Sequence, residues 1–284
     1  MRNKQRATFL ASLVTSARYE VLPTGTIEEK ILEHVPLDRV LTVTASPAKG
    51  LEATLELTER LSKDGYTAVP HLAARMVRGR AELSEICERL VAAGVRTVFV
   101  PGGDQDPPAG EYAAALDLLE ALDELGRPFP DVGITGYPES HPTIHDDLTV
   151  QSMWDKRRHA THIVSNLNFD PGTITDWIGR MRRRGITLPV LLGVPGPVER
   201  GKLLAMATKI GVGDSTRFLA KHKGTLTRLA APGGFTGERF LERCAPALSR
   251  PEAHVTGLHV YTFNQVAETE RWRTDYLERL ASVR

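Results

Sequence analysis

Cysteine is nearly missing from the 284 residues: only Cys87 and Cys244 occur, far apart and in no C-x-x-C pair. That excludes a disulfide framework and predicts two buried free thiols, since both lie in helix-like stretches (EICERL and LERCAP). A reducing cytoplasm fits that usage. Surplus charge is missing too. The 36 basic and 35 acidic residues leave a net +1, which gives nucleic acid or an anionic membrane no field to follow. No run approaches the ~20 apolar residues of a membrane span. The apolar stretch after the basic start MRNKQR is short and broken by Ser and Thr, unlike a signal peptide. Linkers rich in Ser, Pro or Gly and low-complexity runs are lacking. These absences leave one soluble globular domain over residues 1–284 with small-molecule partners.

Hydrophobic residues make up 41% and charged ones 25%, an ordinary balance for a folded chain. Short, mostly apolar runs recur: RYEVL (18–22), VLTVTA (40–45), TAVPHL (67–72), RTVFVP (96–101), DVGITGY (131–137), THIVSN (161–166), LPVLLGV (188–194) and GLHVYTF (257–263). Each suits a strand buried on both faces of a parallel sheet. Amphipathic stretches separate them, several stopping at glycine (Gly65, Gly94, Gly126, Gly185). Eight strands alternating with helices predict an α/β fold, the (β/α)8 TIM barrel. An open doubly wound sheet is disfavoured because the first turn, PTGTIEE, holds no G-x-G-x-x-G. The segment 211–250 is longer than one helix needs, which predicts extra helices before the last strand, split near AAPGGFTG.

In such a barrel the C-terminal strand ends face one pocket. Strand one delivers Glu20, strand two Thr44, strand three His71, and strand four runs into Gly102-Gly103-Asp104. Strand five ends in Tyr137-Pro138-Glu139-Ser140-His141-Pro142, strand six at Asn166, and strand eight at Tyr261-Thr262-Phe263-Asn264. Glu20, among apolar neighbours, reads as a buried acid with a raised pKa. Asp104 also suits a turn or a helix N-cap, and His71 an ordinary interior histidine. His141 and His145 have ligand spacing, but Pro142 lies between them and no third ligand is in sight, so no metal is predicted. The Arg180–Arg184 run reads as a solvated helix end.

These strand ends resemble the methylenetetrahydrofolate reductase family. Tyr-Glu-Val-Leu-Pro (19–23) is similar to its first-strand motif, Val43-Thr44 and Pro70-His71-Leu72 to the next two. Gly103-Asp104 with Pro107-Pro108 resembles R-G-D-x-P-P, and residues 137–142 resemble Y-P-E-x-H-P. Asn166–Asp170 stands in the place of Q-F-F-F-D, and Gly257–Asn264 resembles G-x-H-x-Y-T-x-N. The resemblance implies reduction of 5,10-methylenetetrahydrofolate to 5-methyltetrahydrofolate with NADH or NADPH. It puts Glu20 in place as the acid that opens the folate ring at N10 and Asp104 beside the pterin. Asn166 and Tyr261 become substrate contacts, and Thr44, His71, Tyr137, His141 and Lys156 cofactor contacts. A folate-binding barrel without turnover and another one-carbon barrel enzyme, a lyase or methyltransferase partner, are the competing readings.

The family's cofactor is FAD, and the chain departs from the pattern where FAD binds. Gly102 replaces the Arg before Gly-Asp, and Gln265 replaces the Arg that closes the last motif. In the segment 147–156 only Lys156 is left of an Arg-Lys pair, with Trp154 and Asp155 beside it. A carboxylate near a diphosphate repels it, and Trp154 fills space. The departures predict that FAD is held weakly or not at all, with hydride passing straight from the nicotinamide to the folate.

Overall fold

The β-branched runs form strands because each alternates between two apolar environments, the barrel's interior and the layer beneath the helices. In a computed structural model that describes residues 2–138, 146–168, 170–197 and 237–283, all eight strands form. They are β1 (Arg18–Val21), β2 (Val40–Val43), β3 (Thr67–Pro70), β4 (Thr97–Val100), β5 (Asp131–Gly136), β6 (His162–Ser165), β7 (Val190–Pro195) and β8 (Val255–Tyr261). Between and around them lie α1 (Arg2–Thr15), α2 (Ile27–His34), α3 (Gly50–Lys63), α4 (Arg80–Ala92), α5 (Ala115–Glu124), α6 (Asp146–Lys156), α7 (Pro171–Arg183), α8 (Gly237–Leu248) and α9 (Val266–Ser282). The helices predicted to stop at glycine do so: Gly65, Gly94, Gly126 and Gly185 all take a left-handed φ, between 78° and 94°, which a side chain would oppose.

The sheet runs in the order β3-β2-β1-β8-β7-β6-β5-β4, with every ladder parallel. Its two edges meet through a bridge between His71 and Phe99, where the Leu72 N–H donates to Phe99 O at 2.8 Å. The structure is therefore the expected (β/α)8 barrel. Its core has two shells. Tyr19, Val21, Leu41, Val43, Val98, Ile134, Leu192 and Val260 pack outward in the large cluster with the helices, whereas Val69, Phe99, Val164 and Leu191 form a separate cluster with Val40. Side chains along a strand point alternately to opposite faces. With Tyr19 and Val21 outward, Arg18 and Glu20 face the interior.

Of the helices predicted before the last strand, α8 is present; residues 211–236 lie outside the described ones. The basic run at the end of α7 is solvated at Arg180, Arg183 and Arg184, as expected, while Arg182 turns inward. Arg182 donates to Ala253 O at 2.8 Å and to Ile186 O at 2.6 Å, which ties α7 to the turn before β8. Both cysteines are buried and free as predicted, and burial pushes each thiol up to about 12. Among the described residues, no helix is long and apolar enough to cross a membrane.

Candidate active site

Glu20 is the next-to-last residue of its short strand, with its side chain only 16% exposed. Register places it beside Thr42 on β2 and Tyr261 on β8. Two histidines converge on one of its oxygens: His259 Nε2 lies 2.9 Å from Oε2, and His71 Nε2 lies 3.9 Å from the same atom. The first distance is a hydrogen bond and the second is too long for one. His71 stacks against Phe99, ring centroids 4.7 Å apart. Burial pushes its pKa down to about 4, the Glu20 charge opposing that shift only in part, so His71 is neutral at ordinary pH.

A clasp holds this strand end in place. Thr262 Oγ1 donates to the Glu20 carbonyl at 2.6 Å, and Asn264 accepts from Leu22 N–H at 2.8 Å while donating to Leu22 O at 3.1 Å. Phe263 and Asn264 take φ of 50° and 59°, a turn that aims Asn264 back at β1. The Tyr261 hydroxyl donates to Ser165 O at 3.3 Å. Burial, then the Glu20 and Tyr137 charges, keep its phenol far above the usual range. Gly193 makes room for that ring: a Cβ there would lie 2.1 Å from Ser165 O and 3.0 Å from the ring.

The other rim residues stand farther from Glu20. Tyr137 closes β5 half-buried, its phenol raised by burial and then by the Asp104 carboxylate. Asp104 itself is exposed, on a loop that Arg75 fastens through Gln105 O at 2.6 Å and Asp106 Oδ1 at 2.8 Å. Asn166 is exposed at the end of β6, where its Oδ1 accepts from Leu167 N–H at 2.8 Å. Thr44 presents a buried hydroxyl that meets no hydrogen-bond partner among the described residues, as do Thr42 Oγ1, His71 Nε2 and His259 Nδ1. Protein interiors rarely leave such atoms unpaired; among the described residues, Thr135 Oγ1 and, on α9, Tyr276 OH are unpaired as well. His141, with Glu139 and His145, lies outside the described residues.

Sequence reasoning passed over His259. Its signal was the His of G-x-H-x-Y-T-x-N, two residues before Tyr261 and so on the same strand face.

On α6, Gln151 donates to Asp155 at 2.8 Å, and the Arg157 guanidinium lies 3.4 Å over the Trp154 ring. Trp154 is 38% exposed and sits against Gly185, so it covers the end of α7. Lys156 is 6% exposed, has no side-chain partner among the described residues, and is pushed down to about 8 by burial. It ends α6, and helices return antiparallel to strands, so it lies roughly 15 Å down the helix from the rim. Arg157 is engaged with Trp154, Asp155 is a carboxylate, and a Cβ at Gly102 would meet nothing within 4 Å. These residues do not fit a flavin diphosphate, which needs unengaged cations or N–H groups.

A closed parallel barrel with one carboxyl buried among histidines and tyrosines at its C-terminal rim defines an acid-base barrel enzyme in its architecture. The model of the family "Methylenetetrahydrofolate reductase" matches residues 32–271, and the chain belongs to that family. It is similar to methylenetetrahydrofolate reductase 2 of Saccharomyces cerevisiae, 20% identical over 244 residues. That match covers 82% of this chain and 37% of the yeast protein, so the chain spans well under half of that relative. Among solved structures, a Burkholderia cenocepacia J2315 protein described as a lyase/mutase aligns with a TM-score of 0.50 and 15% identity, over 99% of this chain and 88% of that one. It shares the fold.

Proposed function

We propose that this protein reduces 5,10-methylenetetrahydrofolate to 5-methyltetrahydrofolate, with NADH or NADPH as reductant. The observation that carries the reading is Glu20, a carboxyl buried at the rim of a barrel of this family and held by His259 at 2.9 Å. The substrate's five-membered ring opens when N10 takes a proton and its bond to the methylene carbon breaks, leaving an iminium at N5. Glu20, in its protonated form, gives that proton. Hydride from the reduced nicotinamide then adds to the methylene carbon, and Glu20 regains a proton from solvent. One hydride and one proton are consumed per turnover.

Asp104 supports this reading as a fixed carboxylate on the rim that offsets the iminium's charge. Asn166 and Tyr261 contact the pterin, while Thr44, His71, Tyr137 and His141 make up the nucleotide side; Lys156, at the far end of α6, stands apart from it. The misfit of residues 151–157 and Gly102 to a diphosphate supports hydride transfer directly from nicotinamide to folate, with no flavin between them. The test is the visible spectrum of the purified protein, together with product analysis. Methyl product formed from NADH or NADPH without added FAD is expected. A stoichiometric flavin band in the purified protein sinks direct transfer, and absence of methyl product with either nucleotide sinks the reductase itself.

A further inference from the structure

Glu20 has two oxygens, and the protein treats them differently. His259 binds Oε2 at 2.9 Å, and the nearest approach of His71 is to that same atom. Oε1 meets no hydrogen-bond partner among the described residues. The His259 ring is buried, and its second nitrogen, Nδ1, also meets none. A stranded buried N–H is rarer and dearer than an unfilled lone pair. Nδ1 therefore carries the lone pair, and the proton sits on Nε2, facing Glu20. An imidazolium would strand an N–H at Nδ1 and add a buried charge as well.

We infer that His259 is a positioning residue fixed as the neutral Nε2–H tautomer, donating to Oε2 so that Oε1 carries the acid proton to the substrate. The inference rests on the reductase reading for what the proton is used for. Before transfer, the His259 N–H meets a carbonyl-like oxygen of a neutral acid. As the proton moves from Oε1 to N10 of the folate, Oε2 gains negative charge and the same bond becomes charge-assisted. It is therefore stronger in the transition state than in the ground state, which is the kind of contact that raises kcat.

The surroundings agree. His71 on β3 is neutral, with burial holding it near 4. From β8 Tyr261 and from β5 Tyr137 face the site as un-ionised phenols. Arg18, one turn of the pleat below Glu20 on β1, is engaged by Asp131 at 3.8 Å and His162 at 3.2 Å.

Three measurements test this. In NMR of unliganded protein carrying isotope-labelled histidine, His259 should show protonated Nε2 and bare Nδ1, and its signals should move in Glu20→Gln. A protonated Nδ1 overturns the inference. His259→Phe keeps the ring volume but removes the donor; a lost bond to a developing charge should lower kcat roughly ten- to a hundred-fold with little change in the folate KM. His259→Gln restores an N–H donor and should recover most of the rate. A His259→Phe variant with wild-type kcat, or a Gln variant no better than Phe, overturns the inference. If the NMR shows the tautomer and its coupling to Glu20 but no methyl product forms, the reductase reading fails while the pair stands. If methyl product forms and Nδ1 is protonated, the reverse holds.

Discussion

At the N-terminal end of the barrel, partly buried polar groups answer one another. Arg18 reaches His162 Nε2 at 3.2 Å and Asp131 at 3.8 Å, His162 Nδ1 lies 3.1 Å from Asp131, and Thr97 donates to the same carboxylate at 3.1 Å. Thr161 adds another bond to it. At the C-terminal end Thr42, Thr44, His71 and His259 keep buried polar atoms with no hydrogen-bond partner among the described residues. Both ends lie inside one closed sheet, so residue type alone does not separate them. Completeness does: a floor that only holds the barrel together is satisfied within the protein, whereas a rim that meets substrate leaves its groups unpaired.

The largest expected effect is at the rim. Glu20→Gln keeps the shape and one N–H-compatible oxygen but cannot give up a proton. A positioned general acid contributes roughly a hundred- to ten-thousand-fold, so methyl product formation should fall by about that much. Folate binding, followed by equilibrium titration, should persist. Wild-type turnover in this variant would remove Glu20 from its role and, with it, the functional half of the comparison.

Lys156 breaks the pattern and so tests it. It ends the helix leading toward the floor, yet it is buried without a partner, its pKa pushed down from 10.5 to about 8. A lysine whose folded pKa is lowered costs stability below that pKa, and the cost is relieved as pH rises from about 8 to 10.5. Lys156→Met should therefore stabilise the protein at neutral pH by on the order of 2–4 kcal/mol and flatten the rise in that window, as read by denaturant midpoints across pH. The KM for the nicotinamide nucleotide should stay near wild type, because Lys156 ends α6 about 15 Å from the rim. A raised KM for the nucleotide would instead bring Lys156 into the site.

Asp131→Asn tests the floor. The carboxylate lies below its ordinary 3.8; its burial opposes that, and the bonds and charges of His162, Thr161 and Arg18 prevail. A depressed carboxylate contributes stability that is complete above about its unfolded value and is lost as pH falls through the folded one. Asp131 is about one-third exposed, so solvent screens the network. A loss of roughly 1–2 kcal/mol is expected in Asn at neutral pH. The wild type should lose its advantage over the variant below about pH 4, while kcat stays near wild type. A kcat collapse without a stability change would mean the floor is not merely a floor.

Much of this was legible from residues alone. The eight strands showed because each is a run of β-branched and apolar side chains, and a parallel barrel buries such runs on both faces. Glu20 showed because a lone carboxylate interrupts one of them. The floor did not show. Arg18 and His162 are 144 positions apart and become neighbours only when the sheet closes, and nothing local announces that. His259 was hidden for a related reason: a single histidine in an apolar strand gives no periodic signal, and its meaning comes from β1 lying beside β8. The exposure of Trp154 could not be read either, since its cover comes from Arg157 and the end of α7.

The smallest expected effect concerns the clasp that joins the two regions' shared strand to its neighbour. Thr262 is fully buried, donates to the Glu20 carbonyl at 2.6 Å and accepts from Asn264 N–H at 3.1 Å. Thr262→Val keeps the volume and removes both bonds. The Thr262 N–H still approaches the Glu20 carbonyl at 3.4 Å, so that acceptor is weakened rather than stranded, and the stability loss should be about 1 kcal/mol. What distinguishes a clasp from ordinary packing is the kinetics. If the bond aims the Glu20 strand end, kcat should fall by a few-fold while the folate KM stays put. A drop in stability with unchanged kcat would show that Glu20 is aimed by its histidines alone.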